Sequence, residues 1–185
     1  SELVREDRRL RLLVVGGGAG LNDPTNETYE LTVRQRIATL GLGPYVVWTG
    51  YQAPDQVSGH FLAADVCALP YLDGISTRRG TLMAALEHGI PLLSTQPRRP
   101  IPNIRDGEHY LAAKSASPPD LVEPLRRLLT DGDLRQRLHC GALRAARSFG
   151  WRQIARRHAA LYRILAGSRD DWLHAILERD ELTTG

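Results

Sequence analysis

Glycines crowd a short stretch near the start of the chain, directly after the apolar residues 12–15. Gly16, Gly17 and Gly18 leave their backbone N–H groups uncovered, and such groups can approach phosphate oxygens closely. A nicotinamide-binding GxGxxG loop requires a glycine at position 21, where the sequence has Leu21. We therefore expect a phosphate-bearing ligand of another kind or, as the alternative, a glycine turn without a ligand.

A second polar segment, residues 73–81, contains two adjacent arginines. It lies between a predicted strand and a predicted helix, so the hydroxyl group at position 76 or 77 can cap that helix. Arg78 and Arg79 stand where the helix dipole disfavours positive charge, so a negative partner is expected. That partner is either a bound phosphate or a carboxylate of the chain, Asp73 or Glu87. The residues predicted to contact a ligand are Asp73, Gly74, Ser76, Thr77, Arg78, Arg79, Gly80 and Thr81.

The composition is that of an ordinary globular domain with a mild basic excess. The chain has 185 residues, of which 42% are hydrophobic and 24% are charged, and this suits one domain with a sizeable core. No apolar run approaches the roughly 18 residues of a membrane span, and no signal peptide is visible. The net charge of +3 comes almost entirely from arginine, since Lys114 is the only lysine. Arginine suits the recognition of phosphate groups.

Apolar segments of strand length alternate with amphipathic segments of helix length. Strands are predicted over residues 10–17, 45–49, 66–69, 92–94 and 110–112, and the chain after position 118 is predicted to be helical. The alternation indicates βα units, a parallel sheet and right-handed crossovers. Ligands of such sheets bind beyond the carboxyl ends of the strands, so the candidate loops follow Val15, Thr49, Pro70 and Thr95.

The order of these segments resembles the C-terminal domain of GT-B glycosyltransferases, including family four. The matching pieces are LRLLVVGGG, GLGPYVVWTGY, FLAADVCALPY and TLMAALEHGIPLLST, followed by LLTDGDLRQRLHCGALRAARSFGW. The resemblance covers residues 10–165. It implies an α/β fold with a Rossmann-like parallel sheet, flanking helices and a helical C-terminal region, which is one half of a GT-B fold. The nucleotide-sugar-binding domain would span residues 1–166, truncated at its N-terminus, and residues 167–185 would form a C-terminal helical appendage.

The resemblance also implies a donor site. It implies a nucleotide diphosphate sugar as donor, no separate cofactor, and a retaining transfer that needs no metal. The sugar and diphosphate would be held by residues 73–81, with Arg78 and Arg79 as the charged contacts, and no residue is assigned as catalytic. The acceptor would bind to a missing N-terminal domain, so this fragment is expected to fold but not to turn over. The nucleotide would be lined by Gly16, Gly17, Gly18, Gly50 and Tyr51.

Two departures from the family pattern leave more than one function open. Aligned on Gly89 and Pro91, the two glutamates usual in the family fall at Ser76 and Ala84, so their carboxylate contacts to ribose and sugar are missing. The arginine and lysine that grip the diphosphate in the family should precede position 10 by several tens of residues, so we expect neither of them within this sequence. The alternatives are a degenerate, non-catalytic binding module and a GT-B-like nucleotide-sugar epimerase.

Other patterns favour structural roles. The run Asp131-Gly132-Asp133 matches the DxD motif of metal-dependent glycosyltransferases, but it lies in a turn where Asp133 can cap the next helix. Arginines along the C-terminal helices indicate either a solvated face or peripheral contact with the inner face of a membrane. Aromatic residues make up only 6% of the chain and are not interleaved with arginines, which argues against nucleic-acid binding.

The remaining predictions concern location and the end of the chain. Cys67 and Cys140 show none of the spacings of a zinc site, which indicates a reducing, cytoplasmic setting without a bound metal. Trp172, Leu173 and Ile176 form one apolar face on a charged segment. We expect this segment to pack against the domain's own flank or against a neighbouring chain.

Overall fold

The computed structural model describes residues 1–16 and 24–166. Each apolar segment predicted to be a strand overlaps one: β1 is Leu12–Val14, β2 Val46–Trp48, β3 Cys67–Leu69, β4 Leu92–Thr95 and β5 Leu111–Ala113. The helices of the described ranges are α1 Glu2–Glu6, α2 Pro24–Thr39, α3 Pro54–Ala63, α4 Gly80–Glu87, α5 Pro118–Thr130, α6 Gly132–Phe149 and α7 Trp151–Ala166. The βα alternation and the helical C-terminal region are confirmed. The predicted appendage lies outside the described residues.

The start of α6 corrects one predicted cap. Asp131 is the N-cap, and its Oδ1 accepts the N–H of Leu134 at 2.8 Å. The prediction that Asp133 caps this helix is wrong, because α6 already begins at Gly132 and Asp133 lies within its first turn.

The start of α4 corrects a second cap. The helix begins at Gly80, and its N-cap is Arg79, which makes no side-chain capping bond. The prediction that Ser76 or Thr77 caps the helix is therefore wrong, because both lie in the loop before it. Ser76 Oγ instead accepts the backbone N–H of Arg78 at 3.3 Å.

The strands pair in parallel but divide between two sheets. In the first sheet β1 pairs with β2, and in the second the order is β3, β4, β5. Thr95 at the end of β4 lies opposite Ala113 at the end of β5. Parallel pairing is confirmed. The strands do not form one continuous sheet, because β1 and β3 are each hydrogen-bonded to a described strand on one side only.

The core lies around the three-stranded sheet. Leu82 and Leu86 of α4 pack with Leu92 of β4, and all three are at most 1% exposed. Leu93 belongs to a second buried cluster, because successive strand residues point to opposite faces. The β1–β2 pair is covered less well, and Leu12 remains 55% exposed. The best-packed part of the domain therefore supports the carboxyl ends of β3, β4 and β5.

Candidate functional site

An open crevice of about 470 Å³ lies at the carboxyl ends of β3, β4 and β5. Parallel α/β sheets bind ligands at this edge, and the volume is in the range of small-molecule sites. A smaller cavity of about 290 Å³ lies near the start of β5, against α6. The crevice is lined by Tyr71, Leu72, Asp73, Gly74, Thr95, Gln96, Arg98, Lys114, Ser115, Ala116 and Ser117.

The loop after β3 is held tightly against the end of β4. Gly74 has a φ of +82°, and a Cβ at this position would lie 2.1 Å from the backbone oxygen of Gln96. The N–H of Ile75 donates to the backbone oxygen of Thr95 at 3.3 Å, and Thr95 Oγ1 donates to the backbone oxygen of Tyr71 at 2.6 Å. Only glycine fits here without moving the backbone. Gly74 therefore sets the position of the polar residues around it.

Arg79 is bound by its own loop. Its guanidinium forms an ion pair with Asp73 and lies over the ring of Tyr71, 4.0 Å from the ring centroid. The hydroxyl of Tyr71 shares a short hydrogen bond with Thr81 Oγ1. An ion pair and a cation–π contact together tie the loop to the start of α4. We call these four residues the Arg79 latch, and its carboxylate, Asp73, is one of the two negative partners predicted from the chain.

Arg78 differs from its neighbour. It is exposed, and no described residue forms an ion pair with its guanidinium. A helix that follows a strand of a parallel sheet begins at the carboxyl edge of that sheet, so Arg78 and the start of α4 lie at the ligand-binding edge. A guanidinium without a counter-ion at this edge is available to an anionic ligand.

The ends of β1 and β2 bring together a second group of predicted residues. Gly16 and Gly50 form an isolated bridge, and both have positive φ angles, +121° and +65°. Tyr51 follows, with 86% of its surface exposed. Such a ring can stack on a nucleotide base. Gly17 and Gly18 lie outside the described residues.

The opposite wall of the crevice combines the candidate loop after Thr95 with residues after β5, which no sequence pattern singled out. Gln96 and Lys114 occupy equivalent positions, each one residue beyond the paired Thr95 and Ala113. Arg98 lines the same wall. The rule that ligands bind beyond strand ends predicted the loop after Thr95, and applied to the last predicted strand it would also have identified Lys114.

Potential metal ligands and thiols take structural positions. Across residues 1–16 and 24–166, no three His, Cys, Asp or Glu side chains are grouped so that they could hold a metal ion. Asp131 of the DxD-like run is used as a helix cap. Cys67 and Cys140 are both free thiols, and burial raises the pKa of Cys67 to about 11.

Comparison with known proteins gives sequence relatives that are glycosyltransferases. The D-inositol 3-phosphate glycosyltransferase of a Nocardioides species is 28% identical over 158 residues, which are 84% of this chain and 34% of that protein. The chain thus spans about a third of the length of this relative. Sucrose-phosphate synthase from Thermosynechococcus elongatus superposes with a TM-score of 0.71 at 20% identity, covering 84% of this chain and 38% of that one.

HepE from Anabaena, solved in complex with UDP, has a TM-score of 0.68 at 17% identity, over 85% of this chain and 43% of that chain. At such identities the two structures establish the fold alone, a Rossmann-like α/β domain. The family evidence is independent of them: the sequence model described as "Glycosyl transferases group 1" matches residues 1–131, well over half of the chain. The chain therefore belongs to the group 1 glycosyl transferase family.

Proposed function

We propose that this chain is the donor-binding part of a retaining, metal-independent glycosyltransferase that uses a nucleoside diphosphate sugar. The observation that carries the proposal is Arg78, an exposed guanidinium without an ion pair among the described residues, beside the start of α4. The UDP complex of HepE, a protein of the same fold, supports a diphosphate ligand.

Arg78 and the start of α4 supply the positive potential that a departing diphosphate requires. Negative charge grows on the diphosphate as its bond to the sugar breaks, and donors that are already in place stabilise that charge. Asp73 neutralises Arg79, so we assign the diphosphate to Arg78 and a positioning role to the Arg79 latch. Gly16, Gly50 and Tyr51 would receive the nucleoside.

In this proposal the acceptor binds to a separate N-terminal domain. The Nocardioides relative has room for such a domain, because it is about three times as long as the part that aligns with this chain. The relative's name refers to D-inositol 3-phosphate, so a small polyol that carries a phosphate is the acceptor class that we propose. A single half lacks the second wall that orients the acceptor and excludes water. The chain by itself should therefore bind the donor without transferring its sugar.

One observation favours a non-catalytic binding module instead. Ser76 and Ala84 stand where a resemblance to family four places glutamates. Neither serine nor alanine carries a carboxylate. Ser76 Oγ accepts the N–H of Arg78, and the backbone oxygen of Ala84 accepts a hydrogen bond from His88. Product analysis of the protein that includes the proposed N-terminal domain, with UDP-sugar and with or without acceptor, separates the alternatives. A transferase needs the acceptor, an epimerase converts the donor alone, and a binding module leaves the donor unchanged.

Calorimetric titration of UDP and GDP tests the donor site directly. Loss of one charge-assisted contact costs about 1.5–3 kcal/mol, so Arg78→Ala should weaken UDP binding roughly tenfold or more. Arg99→Ala is the matched control, because Arg99 is also an exposed arginine but lies in the loop after β4 and not beside the start of α4. Equal affinities of wild type and Arg78→Ala would remove the proposal's main support.

We also propose that α7 contacts an anionic membrane surface from the cytoplasmic side. Trp151, Tyr162 and Leu165 are 83%, 63% and 72% exposed, and they share one face at about 100° per residue. The helix contains four arginines and no acidic residue, a combination that suits an interfacial helix. No helix of the described ranges is both long and apolar enough to span a bilayer.

Vesicle sedimentation tests the membrane contact. The chain should sediment with vesicles that contain phosphatidylserine and much less with phosphatidylcholine alone, and Trp151→Ala should weaken the binding. Binding that is independent of vesicle charge, or no binding at all, would contradict this part of the proposal.

A further inference from the structure

The wall of the crevice formed by the ends of β4 and β5 is not used by the proposed donor site. We propose that this wall is a second anion subsite, which binds the phosphate group of a phosphorylated sugar or polyol. The inference rests on the proposed function, because an acceptor whose polyol is held by the N-terminal domain would direct its phosphate group toward the donor half. The residues that carry it are Gln96, Arg98 and Lys114.

Strand register brings two of these residues together. Thr95 and Ala113 are paired Cα partners at the ends of β4 and β5. Gln96 and Lys114 each come one residue later, so their backbones leave the sheet about 5 Å apart, the spacing of neighbouring strands. Both preceding residues are buried, at 5% and 0% exposure, which anchors the start of this wall. An amide and an ammonium group thus emerge from adjacent, well-anchored positions.

The charge of this wall is not balanced by a contacting carboxylate. Within residues 1–16 and 24–166, neither Arg98 nor Lys114 forms an ion pair. Of the nearby carboxylates, Asp73 is paired with Arg79, and Asp120 accepts a hydrogen bond from Ser115. That hydrogen bond is the main cause of the lowered pKa of Asp120, and the charge of Lys114 is a smaller one. Two exposed cations therefore share one crevice and have donors left for a phosphate.

The hydroxyl groups near this wall already form hydrogen bonds within the protein, so the side chains left to bind a phosphate are Gln96, Arg98 and Lys114. Thr95 Oγ1 donates to the backbone oxygen of Tyr71, and the hydroxyl groups of Ser115 and Ser117 bond to each other. The side chain of Gln96 forms no hydrogen bond with any of the described residues. A phosphate monoester is an acceptor with three terminal oxygens, which matches a guanidinium, an ammonium and an amide. The crevice volume of about 470 Å³ leaves room for the sugar or polyol that carries it.

The test compares wild type with Lys114→Gln, Arg98→Gln and the control Arg99→Gln by calorimetry. The probes are inorganic phosphate, glucose 6-phosphate, glucose and UDP. We expect phosphate and glucose 6-phosphate to bind wild type and Arg99→Gln, with glucose 6-phosphate the tighter if the sugar also contacts the crevice. Each crevice substitution should weaken both probes roughly tenfold. Glucose should not bind measurably.

Separate variants distinguish the subsite from the donor site. Arg78→Gln should weaken UDP but not glucose 6-phosphate, and Lys114→Gln should do the reverse. Unchanged glucose 6-phosphate affinity in Lys114→Gln and Arg98→Gln would overturn the subsite. Loss of UDP binding alone in those variants would also overturn it, because the wall would then belong to the donor site. Unchanged UDP affinity in Arg78→Gln would instead count against the proposed function.

Discussion

Gly74→Ala is expected to destabilise the domain more than its small size suggests. A φ of +82° costs an L-residue about 1–2 kcal/mol. The new Cβ would also lie 2.1 Å from the backbone oxygen of Gln96, and relieving such an overlap in a packed region costs about 1–3 kcal/mol. Together these effects predict a loss of about 3 kcal/mol in the free energy of unfolding. For a domain of this size, that lowers the melting temperature by roughly 6–12 °C.

Urea denaturation measures this loss, and Gly59→Ala is the matched control. Gly59 lies inside α3, and a Cβ built there has no atom within 4 Å apart from its chain neighbours and the backbone of its own helix. Alanine is favoured over glycine in a helix, so the control should stabilise the protein by about 0.8–1.0 kcal/mol. A Gly74→Ala variant within about 0.5 kcal/mol of wild type would refute the conclusion that this loop is fixed against β4.

Two further perturbations probe the frame around the site. Burial lowers the pKa of His109 below 6.5 against the opposing charge of Glu108, so the unfolded chain binds a proton that the folded chain excludes. The contribution of neutral His109 to the free energy of unfolding should be full above about pH 6.5 and should be lost as the pH falls below that value. In urea titrations at several pH values, His109→Gln should weaken this pH dependence. An unchanged pH dependence in the variant would contradict the prediction. Arg126 of α5 forms ion pairs with Glu2 and Glu6 of α1. Arg126→Met should speed hydrogen exchange of the α1 amides with little loss of global stability, because solvent screens such surface ion pairs. Unchanged exchange would show that Arg126 does not join α1 to α5 through Glu2 and Glu6.

Local patterns were sufficient to predict the elements of this fold. Short apolar runs marked all five strands, and Gly89 with Pro91 correctly marked the end of α4. Helix starts were less accurate, since Asp131 and Asp133 are both good capping residues and only the backbone path decides between them. The division into two sheets could not be predicted, because strand pairing depends on contacts between distant segments.

The part of the site that lies in one loop, residues 73–81, could be predicted from the sequence. The part formed by residues that follow different strands could not. Arg78 and Arg79 were found as a pair, but their different roles depend on the positions of Asp73 and Tyr71 in space. The wall with Lys114 depends on the pairing of β4 with β5, which no local pattern encodes. Each side chain there is unremarkable by itself in the sequence.

Mapping UDP onto the domain by nuclear magnetic resonance tests the central claim most directly. Amide shifts followed during a UDP titration should change around Gly16, Gly50 and Tyr51 and across residues 73–81, with the largest changes near Arg78 and Gly80. These positions lie at the carboxyl ends of β1, β2 and β3. Changes confined to the smaller cavity against α6, or no changes in residues 73–81, would contradict a donor site at this edge.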